Sequence, residues 1–311
     1  MAITRREVFK NIAKGSLPIL AAGCVSGAFS EVAHDNEIVP MPKGAVGLLY
    51  DATKCVGCKS CMVACARAND LEPDTRTDGL HQSPPALNSV TKNIIKLYRT
   101  ADGSDHSYFK QQCMHCADPT CVTACMFEAM RKDPETGIVW WLGSKCVGCR
   151  YCEIACPFHI PAFQWGRFNP KIVKCELCRD RLGKGLEPGC TTICPTQAVI
   201  YGPHAVLLAE AKRRIAQSPG RYAESRVYGE TDGGGTQVLY LSRVPFRRLG
   251  LPDLGYDPVP ERLKFQHRIY KWFALPTVLY AGMVFYASRN FKQHAHHLVE
   301  DQKTTGLRPQ L

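Results

Sequence analysis

Cysteine spacing constrains this 311-residue chain more than any other feature of its sequence. Sixteen of its seventeen cysteines fall into four groups of four. The first and third groups have the spacing C-x2-C-x2-C-x3-C, which wraps a 4Fe–4S cluster because the backbone must curl for three sulfurs to reach one cube. The groups, in chain order, are Cys55, Cys58, Cys61 and Cys65; Cys113, Cys116, Cys121 and Cys125; Cys146, Cys149, Cys152 and Cys156; and Cys175, Cys178, Cys190 and Cys194.

The fourth cysteine of such a run lies beyond a short helical turn and points away from the first three. It is therefore expected to ligate the neighbouring cluster, so that clusters occur in pairs. Sixteen thiolates at four per cluster predict four 4Fe–4S clusters, and hence transfer of single electrons. The spacing by itself leaves open whether the groups pair consecutively or in a nested order.

Cysteines at such spacings have two other uses in proteins, structural zinc binding and disulfide formation. Structural zinc is often bound by two Cys-x-x-Cys pairs, and the two pairs are usually separated by a dozen or more residues. Only the fourth group, with its long gap before Cys190, resembles that form. A disulfide scaffold is typical of small secreted domains rather than a chain of this length. A zinc-stabilised scaffold is thus the remote alternative, and it predicts a colourless protein.

The N-terminus has the form of an export signal. Arg5 and Arg6, followed by an apolar pair and Lys10, form a twin-arginine pattern. The apolar stretch over residues 17–29 is too short and too broken to span a bilayer, as expected of a signal h-region. Residues 1–30 are therefore predicted to be a twin-arginine signal that exports the folded protein, and Cys24 within it is expected to have no function.

A second apolar segment lies near the C-terminus. Residues 272–287 contain no charge, and with their neighbours they approach the roughly twenty residues that a membrane span needs. A buried helix of a soluble domain is the alternative. We predict an anchor over residues 267–290, with the preceding chain at the periplasmic face of the cytoplasmic membrane. The tail 291–311 would be cytoplasmic, with His294, His296 and His297 in solvent.

The net charge of +11 suits lipid headgroups or an acidic protein surface. No nucleic-acid motif accompanies it, so nucleic acid is not an expected partner.

Gly233-Gly234-Gly235-Thr236 lacks the Gly-Lys-Ser/Thr ending of a phosphate loop, and we interpret it as a turn before a strand. The predicted elements are strands at Gly47–Asp51, Ser107–Gln112, Gly137–Leu142, Lys171–Lys174, Ala198–Tyr201 and Gln237–Leu241, and a helix at Pro203–Gln217, docked through Val206, Leu207, Ala211 and Ile215.

Several motifs give the chain a family resemblance. They are Gly47-Leu48-Leu49-Tyr50-Asp51, Asn93-Ile94-Ile95, Cys113-Met114-His115-Cys116, Gly233-Gly234-Gly235-Thr236-Gln237-Val238 and Leu275-Pro276. With the four cysteine groups, the signal and the anchor, they resemble HybA-type ferredoxin subunits of membrane-bound NiFe uptake hydrogenases over nearly the whole chain. The β subunit of formate dehydrogenase-N is similar, but it travels on its partner's signal, so the signal present here favours the hydrogenase type.

The resemblance implies an α+β fold of two nested bacterial-ferredoxin-like domains with four 4Fe–4S clusters, plus one C-terminal transmembrane helix. Residues 31–102 and 173–225 would form the first domain, 103–172 the inserted second domain, and 226–266 an extension. The implied ligand sets are Cys55, Cys58, Cys61 and Cys194; Cys65, Cys175, Cys178 and Cys190; Cys113, Cys116, Cys121 and Cys156; and Cys125, Cys146, Cys149 and Cys152.

The resemblance also implies a function. Such subunits pass electrons between the small subunit of a hydrogenase, whose large subunit carries out the hydrogen chemistry, and an integral membrane quinone-binding subunit. No catalytic residues are expected in this chain. The alternatives are an iron–sulfur subunit of a molybdenum or tungsten oxidoreductase such as formate dehydrogenase-N, and a terminal reductase that handles substrate itself. His115 is expected to donate a hydrogen bond toward a cluster or the backbone.

Overall fold

The computed structural model describes residues 40–73, 87–100, 103, 105–165, 171–256 and 276–290. These residues belong to one compact unit, Ile38–Leu311. The predicted signal, Cys24, and the predicted tail with its histidines lie outside the described residues.

A three-stranded sheet forms the centre of the fold. The strand Val46–Asp51 lies in the middle, antiparallel to Val199–Pro203 and parallel to Val238–Leu241. Because side chains alternate across a strand, Leu48 and Tyr50 face the large core and Leu49 faces the opposite side. Both faces are therefore covered, one by the cysteine-bearing loops and the other by a helix.

That helix, His204–Gln217, confirms the predicted element and begins one residue after its predicted start. It docks on the sheet through Leu207 and Ala211, which are both buried. The predicted contact of Val206 is wrong, because this side chain is 60% exposed. Successive residues of a helix are rotated by about 100° about its axis. Val206 therefore points away from the side on which Leu207 meets the sheet.

Three hairpins surround the central sheet. The longest pairs Asn93–Arg99 with His106–Gln112, so the Asn93-Ile94-Ile95 motif lies in a strand that was not predicted. The other two pair Met130–Lys132 with Val139–Trp141, and Ala162–Phe163 with Ile172–Val173. The nine strands of the described residues are Val46–Asp51, Asn93–Arg99, His106–Gln112, Met130–Lys132, Val139–Trp141, Ala162–Phe163, Ile172–Val173, Val199–Pro203 and Val238–Leu241.

Short helices follow the cysteine loops and pack in two pairs. Ser60–Ala68 packs on Gly189–Thr192, and Thr120–Thr123 packs on Tyr151–Ala155. The first pair approaches so closely that a Cβ on Gly189 would lie 3.0 Å from the carbonyl oxygen of Ala64. The fold thereby brings the first cysteine group to the fourth, and the second to the third. The remaining helical segments are Arg179–Leu182 and the 3₁₀ turns Gly143–Lys145, Asp232–Gly234 and Phe246–Leu249.

The turn Asp232–Gly234 precedes the strand Val238–Leu241, which confirms our interpretation of the glycine run as a turn. Residues 276–290 are helical, and their apolar side chains, Val278 and Phe285 among them, are exposed. In the part of the chain that the structure describes, no helix is long and apolar enough to cross a membrane. Residues 267–275 of the predicted anchor lie outside that part.

Candidate metal centres

The same backbone turn occurs in all four cysteine groups. In each group, the residue just before the second cysteine has a positive φ: 70° at Gly57, 48° at His115, 75° at Gly148 and 54° at Leu177. This left-handed conformation is easy for glycine and costly for histidine and leucine. Strain of this kind is typical of sites whose geometry is fixed by function, and it recurs at the same position of all four cysteine loops.

One cavity collects cysteines from two different groups. Cys125, the last cysteine of the second group, lines it together with Cys146, Cys149 and Cys152 of the third group. The cavity wall is completed by apolar side chains that include Met130 and Ile172. Four thiols around one enclosed space are what a four-cysteine centre requires.

The other thiols also have neighbours from a second group. Burial raises the pKa of Cys65 most, and the nearby Cys175, Cys190 and Cys178 raise it further. Burial likewise raises the pKa of Cys55 most, and the nearby Cys194 also raises it. The pKa values of Cys116 and Cys121 are raised first by burial and then by neighbours that include Cys156. We name the four neighbourhoods set A (Cys55, Cys58, Cys61, Cys194), set B (Cys65, Cys175, Cys178, Cys190), set C (Cys113, Cys116, Cys121, Cys156) and set D (Cys125, Cys146, Cys149, Cys152).

The sixteen thiols are not paired with one another. All sixteen thiols in the described residues are free, so none is used in a disulfide. Within the described ranges, no three cysteine, histidine or carboxylate side chains approach closely enough to hold one metal ion. A tetrahedral zinc with bonds of about 2.3 Å would need sulfurs about 4 Å apart. The spacing of the first and third groups is instead that of a bacterial 4Fe–4S run.

The sets follow one another in the order A, B, C, D. Cys61 of set A lies near Cys190 of set B, and Cys113 of set C lies near Cys175 of set B. Sets C and D are joined by the helical turn Thr120–Thr123, which contains Cys121 of set C and ends two residues before Cys125 of set D. The two terminal sets reach the surface, since the exposed thiols are Cys58 of set A and Cys149 of set D.

Backbone N–H groups converge on several sulfurs. Cys125 Sγ accepts hydrogen bonds from the amides of Ala129 at 3.2 Å and Met130 at 3.4 Å. Cys194 Sγ accepts one from the amide of Ala198 at 3.3 Å, at the equivalent spacing along the chain. Burial raises the pKa of Cys194, but hydrogen bonds to its sulfur, beginning with that of Val199, lower it below the ordinary value. Donors of this kind stabilise thiolate ligands and tune a bound centre.

Two lysines are fully buried beside the cysteines, and their burial was not predicted from the sequence. Lys110 and Lys174 are 0% and 1% exposed, although lysine is almost never fully buried without a partner. Burial lowers their pKa values, but the surrounding cysteines, led by Cys190 for Lys110 and Cys113 for Lys174, raise both overall. No sequence signal identified them, because a lysine within or next to a strand ordinarily indicates a solvent-facing position.

His115 is fully buried and neutral, because burial lowers its pKa well below the usual range. Its Nδ1 accepts a hydrogen bond from the amide of Val139 at 2.9 Å, so the expected donation to the backbone is not the contact found. The ring proton then lies on Nε2, which has no hydrogen-bond partner among the described residues. This buried N–H remains available to an acceptor such as a cluster sulfur.

Comparison with known proteins agrees with this chemistry. Residues 104–204 match the family model described as a 4Fe-4S dicluster domain. The hydrogenase-2 operon protein HybA of Escherichia coli O157:H7 is 37% identical over 92% of this chain and 98% of its own length. The iron–sulfur subunit of the nitrate-inducible formate dehydrogenase of Escherichia coli K12 is 32% identical over 78% of this chain and 82% of its own length.

The formate dehydrogenase-O iron–sulfur subunit of the same strain is 33% identical over 76% of this chain and 81% of its own length. The match with HybA thus extends well beyond the cysteine loops. The chain belongs to the family of iron–sulfur electron-transfer subunits that includes HybA and the iron–sulfur subunits of formate dehydrogenases.

Proposed function

We propose that this chain holds four 4Fe–4S clusters, one in each of sets A to D, and relays single electrons between the small subunit of a NiFe hydrogenase and a quinone-reactive membrane subunit. The observation that carries the proposal is the gathering of sixteen free thiols into four sets, one of which lines a single cavity. The 37% identity with HybA over nearly the whole chain supports the hydrogenase partner.

The bound clusters would supply reversible one-electron carriers. The chain's own residues supply the ligands, the burial and the hydrogen bonds that hold those carriers. Each set takes three cysteines from one group and one from another, because the fourth cysteine of every group lies past a helical turn. Sets A and B thus exchange the fourth cysteines of their groups, as do sets C and D. Each of these two pairs of clusters is therefore expected to assemble as a unit.

The surface around the two terminal sets supports entry and exit of electrons there. Beside Cys149 of set D, Val147 and Ile154 are 60% and 76% exposed. Beside Cys58 of set A, a groove of about 510 Å³ is lined by Arg67 and Arg181 among others. Exposed apolar side chains and a cationic groove next to redox centres suit docking by other subunits. We therefore expect catalysis to occur on a partner and not on this chain.

We also propose that the protein is exported by the twin-arginine route and held at the periplasmic face by residues 267–290. The twin-arginine pattern and the uncharged C-terminal segment support this location. Export in the folded state would let the clusters be assembled before the cysteines meet an oxidising compartment. Protease accessibility in spheroplasts tests the orientation, since the cluster-bearing part should be digested from outside.

Metal analysis tests the proposal directly. The full-length protein, purified anaerobically with its complex, should be brown and contain about sixteen iron atoms and sixteen acid-labile sulfides per chain. A colourless protein with about one zinc per four cysteines would support the scaffold alternative instead. Nickel in the complex supports the hydrogenase partner. Molybdenum or tungsten would favour a formate dehydrogenase-type partner. The 32% and 33% identities with formate dehydrogenase iron–sulfur subunits support that alternative.

Replacement of Cys65 tests the exchange of ligands. Cys65→Ala should remove or convert the cluster held by Cys175, Cys178 and Cys190, and leave that of Cys55, Cys58 and Cys61 intact, because the thiol lies in set B. Electron paramagnetic resonance of the reduced protein distinguishes the two. Cys24→Ala serves as the matched control and should leave all signals unchanged. Loss of the set A cluster in Cys65→Ala would contradict the exchange.

A further inference from the structure

We propose that Lys110 and Lys174 are fixed positive charges in the gaps between successive clusters, where they raise the reduction potentials of the clusters on both sides. Lys110 would act on the clusters of sets A and B, and Lys174 on those of sets B and C. The inference rests on the proposed function, because it concerns how the chain tunes the four clusters.

Lys174 lies at the junction of sets B and C. Its Nζ donates to the carbonyl oxygen of Cys175 at 2.9 Å and to that of Val139. The same Nζ lies 3.9 Å from Cys113 Sγ. Since Cys175 belongs to set B and Cys113 to set C, one ammonium group touches the ligand residues of two centres. Its three contacts hold it in place inside the core.

Lys110 is a fully buried residue within electrostatic range of thiols from both set A and set B. Its side chain is fully buried and donates to Gln112 Oε1. The thiols that act on it electrostatically are Cys61 of set A and Cys65, Cys175 and Cys190 of set B. Its own carbonyl accepts a 2.7 Å hydrogen bond from the buried hydroxyl of Tyr240, which fixes the strand that carries it.

Neither ammonium group has a carboxylate within ion-pair distance among the described residues. The acidic side chain that acts electrostatically on Lys174 is Glu176. Its Oε1 and Oε2 already accept hydrogen bonds from the amide of Trp141 and from Lys92. A buried charge without compensation is strongly destabilising. The negative charge of thiolate-ligated clusters is the compensation that the surroundings of both lysines offer.

The effect on reduction follows from charge. Reduction adds one electron and no proton to a cluster, so its negative charge grows by one. A fixed cation nearby stabilises the more negative state, especially inside a protein, where screening is weak. Removal of the cation should therefore make reduction harder. Because set B lies beside both lysines, its cluster should respond to the loss of either.

Potentiometric titration with dithionite, followed by electron paramagnetic resonance, tests the inference on the full-length, cluster-loaded protein. Lys174→Met should lower the equilibrium constant for reduction of the set B and set C clusters about tenfold, which corresponds to about 59 mV for one electron. Set D should not change. Lys174→Gln keeps donors for the two carbonyl groups without the charge and should shift the same clusters, whereas Lys174→Arg should stay near the wild type.

Lys110→Met provides an independent variant, and it should shift sets A and B instead. Lys96→Met is the matched control, since Lys96 is a partly buried lysine of the neighbouring strand whose pKa is lowered by burial alone. Unchanged potentials in Lys174→Gln and Lys110→Met, with every cluster present, would overturn the role of the lysines. Absence of clusters from the wild-type protein would instead overturn the proposed function.

Discussion

Two glycines at equivalent positions of the first and third cysteine groups allow the geometry of the loops to be tested. Gly57 and Gly148 both have a left-handed backbone, with φ of 70° and 75°. A Cβ on Gly57 would lie 2.2 Å from the ring of Tyr108, whereas one on Gly148 would lie 3.3 Å from the ring of Phe163. The two sites therefore differ mainly in the space beside the loop.

Alanine at either site should cost about 1–2 kcal/mol for the left-handed conformation. Gly57→Ala should cost about 1–3 kcal/mol more, because it overpacks a well-filled core. The Tyr108 ring packs in the buried cluster with Met62 and Ile94 and has little room to move. The total for Gly57→Ala is thus about 2–5 kcal/mol, against about 1–2 kcal/mol for Gly148→Ala.

Thermal unfolding under anaerobic conditions, followed by loss of visible absorbance, measures this difference. Each kcal/mol corresponds to about 2–4 °C for a chain of this size class, so Gly57→Ala should melt several degrees below Gly148→Ala. Gly57→Ala combined with Tyr108→Leu should recover part of the loss, since a smaller side chain relieves the overlap. Equal melting of the two single variants, or greater damage from Gly148→Ala, would refute this reasoning.

Two further predictions concern the buried charges and thiols. Arg214→Met should destabilise the protein by about 3 kcal/mol in chemical unfolding, because the fully buried carboxylate of Asp51 loses the guanidinium that lies 3.2 Å away. Arg213 is more exposed, so Arg213→Met should have little effect. The opposite ranking of the two variants would contradict the role of the pair. In the cluster-free chain at pH 8, iodoacetamide should alkylate Cys194 at least about tenfold faster than Cys61, because only the thiolate reacts. Burial raises the pKa of Cys194, but the hydrogen bonds to its sulfur outweigh burial and lower the pKa below the ordinary value. Burial raises the pKa of Cys61 to about 12, so the Cys61 thiolate would form only as the pH approaches 12. Equal labelling of the two residues in peptide mapping would mean that the cluster-free chain does not keep this fold.

Much of the local structure was predictable from residues close together in the chain. The strands that precede the cysteine loops and the helix at His204–Gln217 follow from apolar periodicity and were found within a few residues of their predicted bounds. The strand Asn93–Arg99 was missed. Its burial depends on the hairpin partner His106–Gln112, and pairing between strands is decided by neighbours that a local pattern does not contain.

The sequence by itself indicated iron–sulfur chemistry, because three cysteines with two residues between them, as in the first and third groups, can direct their sulfurs to one centre only on a loop that curls. Only the tertiary structure decided which distant thiols became neighbours. Cys65 and Cys175 lie 110 positions apart, and they meet because the helices of the first and fourth groups pack together. Lys110 and Lys174 became buried beside these thiols in the same way, since burial and charge compensation are properties of a packed interior and not of a sequence window.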